Sequence, residues 1–226
     1  MKAGYLQQER AQDATILQKS FLWMFAGLLI TGFTAVGTAA YPPLGQLVLG
    51  NPFIFYGLII AELGFVFAIS AGITRMAPVT AMSLFVVYAV LNGLTLSVIF
   101  FVYNIGSISA AFFSSALVFG AMAAYGYTTK KDLSSIGSIA LMALIGIIVA
   151  SVINMFLHVT GLSLLISYAA VLIFTALTAY DTQKIKEMSS TMPGASNLGI
   201  YGALRLYLDF INIFLALLRI MGGNRR

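Results

Sequence analysis

Six apolar stretches, each close to twenty residues, decide what this chain can fold into. They cover 21–41, 53–73, 79–102, 109–127, 136–157 and 162–179. A helix needs about 20 such residues to cross the hydrocarbon core of a bilayer. A seventh stretch, 198–220, has the length but carries Arg205, Asp209 and Arg219. The runs are apolar all round, whereas the strands of a membrane barrel alternate apolar and polar, so a β-barrel is excluded. All five prolines (Pro42, Pro43, Pro52, Pro78 and Pro193) fall between the stretches, where a residue without a backbone donor does no harm to a helix. The first stretch is too long for a signal-peptide core and follows a polar lead, residues 1–20, so it reads as an uncleaved span. The expected architecture is an all-α integral membrane protein, a single transmembrane domain over residues 1–226 with seven crossings.

Composition closes off the alternatives. Only 12 Lys or Arg and 7 Asp or Glu occur among 226 residues, 8% of the chain, and 60% is apolar. An ordinary soluble domain carries roughly 25% charged residues, and it needs that polar cover because of its surface-to-volume ratio. A soluble enzyme, a nucleic-acid binder and a disordered regulator are all poor fits. The net charge of +5 suits cytoplasmic loops better than a nucleic-acid partner, because no basic stripe with interleaved aromatics is present. With no Cys and one His, His158, disulfides, thiolate catalysis and multi-His metal sites fall away. No cofactor is expected, and His158 reads as an interfacial residue at the end of the fifth span.

The loops set an orientation. Lys2, Arg10, Lys19, Arg75, Lys130, Lys131, Lys184 and Lys186 lie in the lead and in the second, fourth and sixth loops, while the first, third and fifth contain no Lys or Arg. That asymmetry places the N-terminus in the cytoplasm. Arg225 and Arg226 run against it if all seven stretches cross. Within the spans, small residues recur every four positions, as in Gly64, Ala68 and Gly72, in Ala89, Gly93 and Ser97, in Ala116, Gly120 and Ala124, and in Gly146 and Ala150. Such stripes allow close helix packing.

Ionisable residues inside spans are costly and are functional candidates by default. Here they are Glu62, Arg205, Asp209 and Arg219, with Arg75 and Asp181 at span ends. Asp209 lies roughly 16 Å along its helix from the cytoplasmic face. Asp181 moves inward too if its helix continues past Tyr180. Arg75 ends the second span on the same side. Two carboxylates close together in low dielectric share protons, and they can hold a hard cation transiently through oxygen. The blander reading has Arg205 and Asp209, at i and i+4, neutralising each other, with Asp181 a solvated helix-end residue. Glu62 and Arg219 fall at comparable depth on the other side and could form a second ion pair.

The two aspartates sit in recognisable surroundings. Thr178-Ala179-Tyr180-Asp181-Thr182-Gln183 and Leu206-Tyr207-Leu208-Asp209-Phe210-Ile211-Asn212-Ile213-Phe214 resemble the paired signatures of the Bax inhibitor-1, or transmembrane Bax inhibitor motif, family. The resemblance extends over nearly the whole chain, including Glu62 and the Thr95-Leu96-Ser97 region, and suits a bacterial inner-membrane member. It implies a seven-helix bundle with the last helix central and two groups of three around it. It also implies a pH-sensitive calcium leak in which Asp181 and Asp209 form the proton-sharing pair and Arg75 is the latch. Protons and calcium would then be its small partners, and association with a membrane protease is known in the family.

Other functions are weighed against this one. An adaptor that binds a membrane protease or stress-pathway protein without transporting anything fits the composition equally well. An intramembrane aspartyl protease would use two aspartates to activate water, but its Gly-x-Gly-Asp motif is missing, since Asp209 follows Tyr207-Leu208. A retinal protein would need a Schiff-base lysine in the last helix, and 198–226 contains none.

Overall fold

Prolines and asparagines start the helices where the sequence changes character. The computed structural model describes residues 2–73, 75–191 and 197–222, with side chains described for 16–73, 75–188 and 197–222. Pro193, Arg225 and Arg226 therefore lie outside the described residues, as do the side chains of Lys2 and Arg10. Among the described residues every regular element is an α-helix. In chain order they are α1 (Lys2–Ala40), α2 (Pro42–Leu49), α3 (Pro52–Gly72), α4 (Pro78–Leu96), α5 (Ile99–Val102), α6 (Ile105–Thr128), α7 (Ser134–Leu157), α8 (Thr160–Thr191) and α9 (Leu198–Met221). Proline stands in the first turn of α2, α3 and α4, where its missing N–H has no helical partner to lose. The Asn51 side chain accepts from Phe53 N at 3.0 Å and that of Asn104 from Ser107 N at 2.7 Å, capping α3 and α6. His158 ends α7 in the left-handed region at φ 53 and is exposed.

Six segments are long and apolar enough to cross a membrane: Ile16–Ala40, Pro52–Gly72, Pro78–Val102, Ile105–Thr128, Ser134–Leu157 and Thr160–Met188. They match the six expected stretches. The third is interrupted at Ser97 and Val98, where α4 gives way to the single turn of α5. Two boundaries differ in an informative way. The lead is continuous with the first span in one 39-residue helix, and α8 does not stop at Ala179 but runs on to Thr191. No Gly or Pro occurs between Leu162 and Met192 to end it. The seventh stretch is one 24-residue helix, α9, about 36 Å long at 1.5 Å per residue.

The chain divides into two compact units. The first takes residues up to Tyr103 and 185–207, hence α1 to α5 and the first half of α9. Its centre is the packing of α1 on α4 and of α4 on α3. Gly27 lies under the Phe85 ring, and a Cβ at Gly93 would come within 2.7 Å of the Thr31 carbonyl oxygen. Ala89 and Ser97 are fully buried on the same stripe, so this small-residue face does bring backbones together. Phe85 and Tyr88 meet the Tyr207 ring edge-on at 5.8 and 5.6 Å.

The second unit takes 104–184 and 208–224, hence α6, α7, most of α8 and the second half of α9. Ala140, Phe174, Leu177 and Ile213 form its apolar centre. Phe210 meets Phe112 and Phe119 edge-on at 5.5 and 5.7 Å. Gly126 faces the Ala179 carbonyl and Gly137 the Tyr180 ring, each too close for a Cβ. Gln183 ties the α6–α7 loop to α8: its Oε1 accepts from Leu133 N and its Nε2 donates to Lys131 O, both at 2.9 Å. Asn154 does the same for the next turn, donating to Ser163 Oγ at 2.6 Å and accepting from Val159 N at 3.1 Å.

Three expected packing stripes are corrected in whole or in part. Gly64 and Ala68 on α3 are exposed, as are Ala116, Gly120 and Ala124 on α6, and a Cβ at Gly64, Gly120 or Gly146 would meet nothing within 4 Å. Lipid tails are as apolar as a helix neighbour, so nothing in spacing alone tells a lipid-facing small residue from a packed one. The same solvent explains why Phe33, Phe53, Phe67, Leu117, Phe156 and Leu172 are all exposed by more than two-thirds. In water such a surface would be an aggregation site.

Candidate functional site

The Asp181 and Asp209 carboxylates are both buried, at 4% and 3% exposure, and both belong to the second unit. α8 carries the first because it continues through Tyr180, and α9 carries the second near its middle. The reading of Asp181 as a solvated helix-end residue is therefore overturned. Around it the helix satisfies its own hydroxyls: Thr178 donates to Phe174 O and Thr182 to Thr178 O, each at 2.8 Å. Both threonines are fully buried. A buried ionisable group in a span is where proton or cation chemistry is to be sought. Among the described residues no three His, Asp or Glu side chains gather into a metal site.

The other charged candidates are placed as follows. Arg75 is exposed, in the turn between α3 and α4, and belongs to the first unit. That turn is held by Asn197, whose Nδ2 donates to Ile73 O at 2.9 Å and to Met76 O at 2.5 Å. Arg205 is half-buried in the first-unit half of α9. It lies 5.7 Å above the Tyr201 ring and donates to the Tyr201 hydroxyl at 3.4 Å. Arg219 is exposed in the last turn of α9, where a cation suits the helix dipole. Outside the spans, Asp132 accepts from Ser134 N at 2.8 Å at the start of α7. Its hydrogen bonds from Ser134 hold its carboxyl below the usual carboxylate range.

Glu62 has partners that sequence reasoning did not supply. Its Oε1 faces the Thr95 hydroxyl at 2.7 Å and its Oε2 the Asn92 amide at 3.0 Å. Asn92 in turn contacts the Tyr207 hydroxyl at 2.8 Å, and Tyr207 contacts Thr31 Oγ1 at 2.7 Å. All five side chains belong to the first unit. An amide in the middle of an apolar run, as Asn92 is, was the available signal: polar side chains in spans seek one another.

The sequence profile described as "Inhibitor of apoptosis-promoting Bax1" matches residues 13–226. The inner membrane protein YbhL of Escherichia coli (strain K12) is 46% identical over 229 residues, covering 99% of this chain and 98% of that one. A protein of Borreliella burgdorferi is 42% identical, covering 97% and 96%. A membrane protein of Streptococcus pyogenes serotype M3 is 43% identical over 79% of each. With the profile spanning most of the chain and relatives of this similarity matching nearly end to end, the chain belongs to the Bax inhibitor-1 family.

Proposed function

We propose that this protein is a proton-gated cation leak of a bacterial inner membrane, with calcium as a permeant ion. The observation that carries the reading is the burial of two carboxylates, Asp181 and Asp209, within one compact unit of a membrane protein. Two such groups, when close together in low dielectric, titrate as a pair and share protons. When ionised, the pair attracts the Arg75 guanidinium and the leak is closed. Proton uptake removes that attraction, so flux rises as pH falls. The carboxylate oxygens suit transient passage of a hard cation such as Ca²⁺. α9 is the seventh crossing, a reading supported by its 24 residues. The N-terminus is cytoplasmic, a reading the Lys and Arg asymmetry supports. The inner-membrane location follows the name of the Escherichia coli relative.

Calcium flux from loaded liposomes, followed at several pH values, tests this. Asp181→Asn and Asp209→Asn are expected to flatten the pH dependence. Unchanged pH–flux curves in both variants would overturn the sensor role. The family description, an inhibitor of another protein, favours a second reading as a non-transporting adaptor. In that case the liposomes stay sealed at every pH.

A further inference from the structure

Four contacts link Glu62, at the midpoint of α3, to the main-chain oxygen of Ala89. They run Glu62–Asn92 at 3.0 Å, Asn92–Tyr207 at 2.8 Å, Tyr207–Thr31 at 2.7 Å and Thr31–Ala89 O at 2.8 Å. Thr95 adds a side contact to Glu62 at 2.7 Å. Every link is short enough for a hydrogen bond, and each needs one hydrogen.

The hydrogens can be counted. The Asn92 amide donates toward one neighbour and accepts from the other, and Tyr207 and Thr31 bring one hydroxyl hydrogen each. That makes three hydrogens for four links. The end of the chain fixes its direction, because the Ala89 carbonyl can only accept. The Thr31 hydrogen therefore goes to Ala89, that of Tyr207 to Thr31, and that of the Asn92 nitrogen to Tyr207. The Asn92 oxygen then faces Glu62, and the fourth hydrogen must come from the carboxyl. Amide nitrogen and oxygen are close to isosteric, so this orientation of Asn92 uses the same heavy-atom positions. With Glu62 ionised, Asn92 turns its nitrogen to the carboxylate and Tyr207 donates back to Asn92. The single Thr31 hydrogen is then claimed by both Tyr207 and Ala89, and one link has none. Thr95 can serve Glu62 in either state. A buried polar contact without its hydrogen is costly in a low-dielectric interior.

We propose that Glu62 is a proton-binding site of this protein, separate from Asp181 and Asp209, and that its proton is oriented through Asn92, Tyr207 and Thr31 onto the Ala89 carbonyl. The proton comes from water and returns to it, and only the carboxyl O–H bond forms and breaks. α4 and α2 pack on α3. α4 brings the Tyr88 hydroxyl into the field of the carboxylate, α9 brings that of Tyr207, and α2 has no titratable side chain. The cations of these helices and turns lie elsewhere. Lys19 precedes Thr31 by about 18 Å along α1, and Arg75 lies in the turn beyond the end of α3, which is about 15 Å of helical rise past Glu62. Arg205 stacks on Tyr201, and Arg219 follows Tyr207 by about 18 Å along α9.

The test is infrared difference spectroscopy of the full chain in liposomes, comparing neutral with acidic buffer. A carboxylic-acid C=O component should rise on acidification, be missing in Glu62→Gln while the component of the aspartate pair remains, and persist in the Asp181→Asn/Asp209→Asn double variant. The side-chain amide introduced by Glu62→Gln supplies the fourth hydrogen permanently, so this variant keeps the fold. Thr31→Val removes two links and leaves two hydrogens for the remaining two with Glu62 ionised. The midpoint of the band should then move down by about one pH unit. A band unchanged by Glu62→Gln, or a midpoint unmoved in Thr31→Val, would overturn the proposal. A band lost in the double Asp variant and kept in Glu62→Gln would overturn it too, while leaving the Asp181–Asp209 gate intact.

Discussion

Asn197 donates to the main-chain oxygen of Ile73, 124 residues earlier, at 2.9 Å. The same nitrogen reaches Met76 O, so one side chain closes the turn that carries Arg75. Asn197→Ala leaves two carbonyl oxygens without this donor. It is expected to destabilise the protein by about 1–3 kcal/mol, read as a lower thermal midpoint of the detergent-solubilised protein. Asn197→Asp, which offers no amide hydrogens, should behave like the alanine variant. A midpoint unchanged in both would show that the turn holds itself.

Arg75 supplies the charge of the proposed latch, so its removal should act in one pH range only. Arg75→Gln is expected to raise calcium flux at neutral pH and to leave acidic flux near the wild-type level, because there the aspartate pair already carries a proton. Arg75→Lys keeps the charge but loses the planar fork, and should give an intermediate curve. Flux from liposomes over a pH series measures both.

Glycines in this fold separate into packed and lipid-facing kinds, and one substitution tests the division. Gly126→Ala forces a Cβ against the Ala179 carbonyl and should cost about 1–3 kcal/mol as helices shift. Gly120→Ala, six residues earlier on the same helix and open around its Cα, should be neutral or stabilising by up to about 1 kcal/mol. Thermal unfolding of the two variants side by side checks this.

Asp132 lies in the α6–α7 loop with its carboxyl held below the usual range by Ser134. A depressed folded value means that the bond contributes stability above the unfolded value, near pH 3.9. That contribution is lost as pH falls through the lower folded value. Carbon-detected NMR of the Asp132 carboxyl should show a midpoint below that of a peptide aspartate, and Ser134→Ala should return it toward the peptide value.

Much of the fold was legible because bilayer thickness and proline placement act locally. Pro52 and Pro78 mark helix starts within one residue of the expected boundaries, and the six apolar runs recur as six long helices. The extension of α8 past Ala179 was visible in the lack of any breaker before Pro193. The small-residue stripes were half legible: Gly93 packs and Gly64 does not, because the sequence does not say which side of a helix meets lipid. Glu62 stood out as a charge in a span. Its partners did not, since Asn92 and Tyr207 come from 30 and 145 residues further along and meet it only through tertiary packing. Asp181 and Asp209 were legible as a motif pair, and the structure adds the burial that spacing could not.

The clamp of Gln183 on Leu133 and Lys131 couples two places that look unrelated in sequence. Gln183 is two residues past Asp181 on the same unbroken helix, so that helix cannot rotate or slide at the carboxylate without pulling on the loop that holds Lys130 to Asp132. This exposed loop is thus tied through two hydrogen bonds to the helix that carries a protein-buried acid. A fluorophore attached at Lys130 would report on Asp181 from outside the hydrocarbon, without a probe ever entering the bundle.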